Sequence, residues 1–179
     1  MTGNAASKAA LDILRDKHDV LKGRYPADYL EKAEIELNGS LSEGEKTVEV
    51  LKKLKERQSG DPIMAVVPCG RQGVYEALWR LGEETDSGLK AELFSISILQ
   101  CAIEFCDFLD INPYEADSTG CTLIAAVSPQ KMIKELEDAG ISANIIGHST
   151  EENARVTVGN TIRYLTGQTK NEQNRSKEY

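Results

Sequence analysis

A cysteine, two glycines and an arginine lie close together in the segment VVPCGRQG, residues 66–73. The segment separates an apolar run from an amphipathic pattern, which predicts a strand, a loop and a helix. Gly70 and Gly73 would let backbone N–H groups converge at the start of that helix, where the helix dipole favours an anion. Arg71 adds a charge suited to phosphate. This predicts an anion site at Gly70, Arg71, Gln72 and Gly73. The alternative is a tight turn with a solvated arginine, because the Gly-Lys-Ser/Thr ending of a P-loop is missing.

Cys69 suggests a second chemistry, that of a thiol nucleophile. It precedes a helix N-terminus and lies two residues from Arg71, and both features lower a thiol pKa. A nucleophilic cysteine also needs a base, for which His148 at the end of a predicted strand is the candidate. Nothing in the sequence brings these two side chains together. The alternative is that Cys69 is a small residue within a loop.

A second polar segment, residues 117–120, precedes the apolar run CTLIAAV. Both polar segments adjoin fully apolar predicted strands, so we expect Ser118, Thr119 and Gly120 to face the first loop and to share its ligand. The alternative is a β-turn that ends in glycine.

Composition excludes several classes of function. The chain of 179 residues has a net charge of −8 and a pI near 4.9, which argues against nucleic acid and anionic membranes as partners. No apolar run is long enough to span a bilayer and the N-terminus lacks a signal-peptide pattern, so we expect a cytoplasmic protein. The four cysteines form no C-x-x-C pair and neither histidine is near one, so we expect no metal site and no disulfide.

The periodicity predicts an α+β fold in which helices pack on a mixed β-sheet. We expect a helical extension at 1–60, an α/β domain at 61–167 and a disordered tail at 168–179. Within the extension, Gly39 is predicted to end one helix and Ser42 to begin the next. From residue 62 the predicted order is β-α-β-α-β-α-β-β with a further short strand, including strands at 88–98 and 142–148.

The run CDFLDINPYEADSTGCTLIAAVSPQKMIKELEDAGISANIIGHST resembles the C-terminal domain of the aminoimidazole ribonucleotide (AIR) synthetase superfamily. GVYEALWRL points to its AIR synthase-related, hydrogenase-maturation branch. The resemblance covers roughly residues 62–165 and extends weakly into RYPADYLEKA. It implies the AIR synthase C-terminal fold.

The resemblance also implies what the chain would need from elsewhere. In relatives, an N-terminal domain supplies most of the ATP and magnesium site, and no stretch here offers its nucleotide motifs. Many relatives carry His-Asp-x-Thr-x-Gly-Gly at the loop, whereas this chain has Val-Pro-Cys-Gly-Arg-Gln-Gly at 67–73. The first hypothesis is therefore a non-catalytic binding module, or a half-site for a phosphorylated small molecule, with no cofactor of its own and a homodimer or a partner chain. The alternatives are a subunit of a split enzyme, whose partner brings ATP and Mg, and a small thiol enzyme using Cys69.

Overall fold

The computed structural model describes residues 1–56 and 62–167. Its helices are α1 (Ser7–Asp16), α2 (His18–Lys22), α3 (Ala27–Glu56), α4 (Gly73–Glu84), α5 (Gln100–Phe108) and α6 (Pro129–Asp138). Its strands are β1 (Ile63–Gly70), β2 (Gly88–Glu92), β3 (Ser118–Ala126), β4 (Gly147–Thr150), β5 (Arg155–Val158) and β6 (Ile162–Tyr164). The α+β fold class is confirmed. The predicted tail at 168–179 lies outside the described residues.

Helix α3 runs without interruption through Gly39, so the predicted helix end there is wrong. The residues that α3 buries are spaced alternately by three and four positions, and they are Leu30, Ala33, Leu37, Ser40, Gly44, Thr47 and Leu51. This is the spacing of one face of a helix. The buried residues in the second half of this face are small or polar, so the apolar pattern of the sequence does not reveal it. A helix that packs along its whole length tolerates the roughly 1 kcal/mol cost of an exposed glycine.

The strands form two separate sheets. Strand β1 pairs with β3 in an antiparallel ladder, and the second sheet has the order β4-β2-β5-β6. Strand β2 is antiparallel to β4 and parallel to β5, so this sheet is mixed as predicted.

Two predicted strands are shorter than expected. The strand predicted at 88–98 ends at Glu92 and is followed by a 3-10 turn at Leu93–Ser95. The strand predicted at 142–148 begins only at Gly147. Apolar alternation continues through both extra stretches, but alternation alone does not supply the neighbouring strand that a ladder needs.

The N-terminal helices share a core with the rest of the chain. Helix α1 packs on α5, and α3 packs on both α1 and β3. Phe105 is the largest fully buried side chain of the described residues, and Tyr25 and Tyr29 contact its ring edge to face. A second cluster around Val67 and Val74 joins β1, β2, β3 and α4, and it holds the strand end that carries the candidate site.

Candidate functional site

The two polar segments predicted to face each other are neighbours in the structure. Gly70 at the end of β1 lies opposite Ser118 at the start of β3, with a register shift between Pro68 and Gly70. Segment 117–120 is therefore mostly strand rather than the alternative β-turn. The juxtaposition follows from the antiparallel pairing, which brings the end of one strand to the start of the other.

The N-terminus of α4 is largely occupied by backbone. The N–H groups of Val74 and Tyr75 donate to the Tyr114 carbonyl oxygen at 2.8 and 3.2 Å. Gly73 permits this close approach, because a Cβ there would lie 2.5 Å from the same oxygen and because its φ is +74°. These two amides belong to the group that a helix leaves without internal partners. They are therefore not available to an anion.

Gly70 and Arg71 remain accessible. Gly70 has a φ of +60°, and no atom lies within 4 Å of the position that its Cβ would take. The Arg71 side chain is exposed, and Gln72 between it and the helix is half-buried. The positive charge of this end of β1 is therefore directed to solvent, as the anion-site prediction requires.

Ser118 has a structural role. Its side chain is fully buried; the hydroxyl donates to the Ala116 carbonyl oxygen and accepts from the Ala6 N–H, both at 2.9 Å. These bonds tie β3 to the start of α1. They leave no direct path from the hydroxyl to a ligand at Gly70.

Gly120 lies beneath α3. A Cβ on Gly44 of that helix would be 2.4 Å from the Gly120 Cα and carbonyl oxygen, and a Cβ on Gly3 would be 2.7 Å from the same oxygen. Three glycines thus let a helix, a strand and the N-terminal segment meet at backbone distance. This close contact explains why residue 120 is a glycine, and no ligand is needed to explain it.

Thr119 is the exposed member of the second segment. Its N–H and its hydroxyl both donate to the Asp117 carboxylate, at 2.9 and 2.6 Å. Because both donors are used by Asp117, the hydroxyl can only accept a further hydrogen bond, from a ligand hydroxyl but not from an anionic oxygen. Together with Gly70 and Arg71, Thr119 forms what we call the loop surface.

Cys69 is buried and faces Cys121 across the ladder. Only 1% of each side chain is exposed, and the two Sγ atoms are 3.5 Å apart. The hydrogen bond to Cys121 and the burial together hold the pKa of the Cys69 thiol well above its ordinary value. The lowered pKa expected from the helix N-terminus and Arg71 is therefore wrong. Helix dipoles act at a solvated terminus, and the thiol points away from it into the core.

His148 lies on a different sheet from Cys69. It occupies β4, opposite Lys90 of β2, with its side chain exposed. Among residues 1–56 and 62–167, no group of three or more histidine, cysteine or acidic side chains has the arrangement of a metal site. No helix in the described part of the chain could span a membrane.

Sequence reasoning missed an aromatic and cationic cluster beside α4. The Tyr75 and Tyr114 rings stack with centroids 5.4 Å apart. Arg163 of β6 lies over the Tyr75 ring at 4.6 Å and bonds the Glu115 carboxylate at 2.7 Å. The residues come from three distant parts of the chain, so no local pattern could have indicated the cluster. Tyr114 therefore contributes its ring to this cluster and its carbonyl to the start of α4.

Known proteins share this fold. No family profile matches the chain, and no curated protein sequence is detectably similar to it. Structures of a hydrogenase maturation protein do match. Two Escherichia coli HypE structures align at TM-scores of 0.57 and 0.55 and 17% identity, over 66% of this chain and 38% of HypE. A HypE structure in complex with ATP aligns at 0.52 and 15%, and a HypE–HypF complex at 0.52 and 19%.

The chain has the fold of part of HypE. The predicted resemblance to the AIR synthase-related, hydrogenase-maturation branch is confirmed at the level of fold. The chain spans 38–41% of the length of these HypE chains. At 15–19% identity, the alignment carries no residue roles across.

Proposed function

We propose that this protein is a non-catalytic binding module that contributes one half of an anion site to a partner. The loop surface, formed by Gly70, Arg71 and Thr119, carries this proposal. It places one exposed guanidinium and open backbone at a strand end, next to a helix whose first amides already bond Tyr114. A single solvated arginine binds an anion weakly. We therefore infer that a second polypeptide completes the site around a phosphorylated small molecule.

The solved structures support a partner-dependent role. One HypE structure holds ATP and another is a complex with HypF, and this chain matches about two fifths of each. In our proposal the partner brings ATP and magnesium. The partner is either a second copy of this chain that adds its own loop surface, or a chain that carries an ATP-binding domain.

The surroundings of Cys69 do not support a thiol enzyme. A nucleophilic cysteine must be a thiolate within reach of a substrate, whereas Cys69 is buried and its pKa is raised.

The proposal is tested by an NMR titration of the isolated protein with ATP–Mg²⁺. We expect a dissociation constant on the order of millimolar, typical of a few solvated contacts, with chemical-shift changes at Gly70, Arg71 and Thr119. Arg71→Gln should abolish these changes. Arg15→Gln is the matched control and should leave the changes intact, because Arg15 is an exposed arginine whose side chain lies beside Asn38 and Glu34 of α3. Micromolar or tighter binding by the isolated chain would show a complete site and refute the half-site proposal.

A second candidate is a subunit of a split ATP-dependent enzyme. The observation that favours it is the partial match to HypE together with the ATP-bound HypE structure. Purification of the native complex followed by an ATP hydrolysis assay tests it. A complex that contains no ATP-binding chain would remove its basis.

A further inference from the structure

The first two residues form a short strand inserted between the two sheets. Thr2 and Thr122 exchange backbone hydrogen bonds at 2.9 and 3.2 Å. On the other side, Met1 and Asn144 exchange bonds at 2.8 and 2.9 Å. Both pairings are antiparallel. At this point one strand fills the space between β3 and the segment that leads into β4.

Beyond Met1 and Thr2, the edge of β3 that faces away from β1 has backbone N–H and C=O groups directed into the gap between β3 and β4. Thr122 bonds Thr2, so its N–H and C=O point away from β1; this agrees with its register partner being Pro68, which has no N–H. Hydrogen-bonding direction alternates along a strand. Ile124 and Ala126 therefore also direct their N–H and C=O groups away from β1. Strand β3 is an edge strand of its sheet.

The facing edge belongs to β4. The Glu92 N–H donates to the Ile146 carbonyl at 2.7 Å, so Ile146 points toward β2. By the same alternation, Gly147 and Ser149 direct their N–H and C=O groups outward. Strand β4 is one of the two edge strands of the four-stranded sheet. Two strand edges thus border one gap, whose end is already filled by Met1 and Thr2.

A cavity of about 390 Å³ occupies this gap. Its walls include the β3 edge, the segment from Ala143 to Ser149, and apolar side chains of two helices, namely Leu78, Leu81, Met132 and Ile133. No acidic residue lines it, although the chain carries 29 aspartates and glutamates. Lys90 and His148, which are cross-strand neighbours, also line it, and His148 follows Asn144, the residue that bonds Met1, along the chain. We call this cavity the strand slot.

We propose that the strand slot binds an extended segment of a partner protein by β-strand addition. The segment continues the line of Met1 and Thr2, antiparallel to β3. On the other side, Asn144 points toward Met1 whereas Ile146 points toward β2, so the alternation is interrupted between them and pairing with β4 resumes at Gly147. Its apolar side chains alternate, and an acidic residue at its N-terminal end faces His148 and Lys90, whose ammonium also lies 3.6 Å from the Glu92 carboxylate. An exposed edge is a template for such pairing. A small apolar molecule would fill the volume but would leave the N–H and C=O groups of both edges without partners.

This inference does not rest on the proposed function. Met64 and Val127 line the slot near the start of β1 and the end of β3, whereas Gly70 lies at the opposite end of β1. A failure of ATP–Mg²⁺ to bind at Gly70 would therefore leave the slot proposal unaffected. A failure of the peptide to bind in the slot would likewise leave the proposed anion site unaffected.

The test is amide hydrogen exchange of the full chain with the probe peptide acetyl-Asp-Val-Thr-Val-Thr-Val-amide. In the free protein, we expect fast exchange at Ile124 and Ala126 and slow exchange at Leu123 and Ala125, which pair with β1. Saturating peptide should slow Ile124 and Ala126 by about tenfold or more. Leu123 and Ala125 should not change. This alternating pattern is specific to strand addition, because a molecule bound only through side chains would not produce it.

Two controls sharpen the result. The same peptide N-methylated at its two central residues keeps its side chains but loses hydrogen bonds, and it should not bind. Lys90→Glu should weaken binding of the acidic peptide by about three- to tenfold. Lys52→Glu makes the same charge change on an exposed position of α3 outside the slot, and it should have no effect.

Several outcomes would overturn the proposal. No binding at millimolar peptide would do so, as would binding without alternating protection, which would indicate a small-molecule pocket. Slow exchange at Ile124 and Ala126 in the free protein would show that the edge is already paired. If that protection disappeared on dilution, the occupant would be a second copy of this chain.

Discussion

The close approach of α3 to β3 gives the sharpest test of this structure. Alanine in place of glycine inside a helix usually stabilises the helix by about 1 kcal/mol. At Gly44 the new Cβ would lie 2.4 Å from the Gly120 Cα and 2.7 Å from its carbonyl carbon. These are backbone atoms, which cannot rotate aside. Ordinary contact begins near 3.4 Å, so helix and strand would have to separate by about 1 Å.

The expected cost follows from these two opposing effects. Overpacking of a close-packed site costs about 1–3 kcal/mol, and backbone atoms place this site at the upper end. After the gain in helix propensity, Gly44→Ala should lower the free energy of unfolding by about 2 kcal/mol. The melting temperature should fall by about 4–8 °C for a chain of this size.

Gly39 supplies the matched control in the same helix. No atom lies within 4 Å of the position of its Cβ, so Gly39→Ala should raise the free energy of unfolding by about 0.5–1 kcal/mol. Urea denaturation of both variants measures the difference, which should be about 3 kcal/mol between them. If Gly39→Ala were destabilising, α3 would be interrupted there, as the local sequence suggests. If Gly44→Ala were neutral, the close contact with Gly120 would be wrong.

Further predictions concern the buried side chains. Iodoacetamide at pH 8 should leave Cys69 and Cys121 unmodified in the native protein and label both after unfolding; rapid native labelling of Cys69 would show an accessible thiol. Burial raises the pKa of Cys101 and of Cys106 from 9.0 to about 11. Their stabilising contribution is complete below pH 9 and is lost as the pH rises toward 11, so the free energy of unfolding should fall across this range. The double alanine variant should show a shallower fall, and an equal slope would contradict the assignment. Phe105→Ala should cost about 3–5 kcal/mol in urea denaturation, because it empties the centre of the helical core; a loss below about 1 kcal/mol would contradict that packing.

The local sequence was sufficient to locate the segment around β1 and α4. An uninterrupted apolar run, a loop with two glycines and a clear amphipathic period were enough to predict strand, loop and helix at nearly their observed bounds. It also indicated that segment 117–120 would adjoin this loop, because both flank buried strands. These are short-range patterns, and burial of one face dictates them wherever the chain packs.

The same reasoning could not assign the chemistry of those residues. Whether Cys69 is an exposed thiolate or a core thiol depends on Cys121, 52 positions away. Whether the start of α4 is open to an anion depends on the Tyr114 carbonyl, which the chain brings there from another loop. A pKa and a free N–H group are set by neighbours in space, and a single sequence does not state which neighbours those are.

Helix α3 shows most clearly what the sequence determines and what the tertiary structure decides. The sequence indicates its ends and its first apolar turns, and it also contains a glycine of the kind that ordinarily ends a helix. Only the tertiary structure shows that the stripe continues through Ser40, Gly44 and Thr47, since small residues there let β3 approach at backbone distance. The sequence by itself determined which segments can form helices and strands, because that depends on residues three or four positions apart. The tertiary structure decided which of them continue, which amides stay free and which strand edges remain open, because those properties belong to contacts between distant parts of the chain.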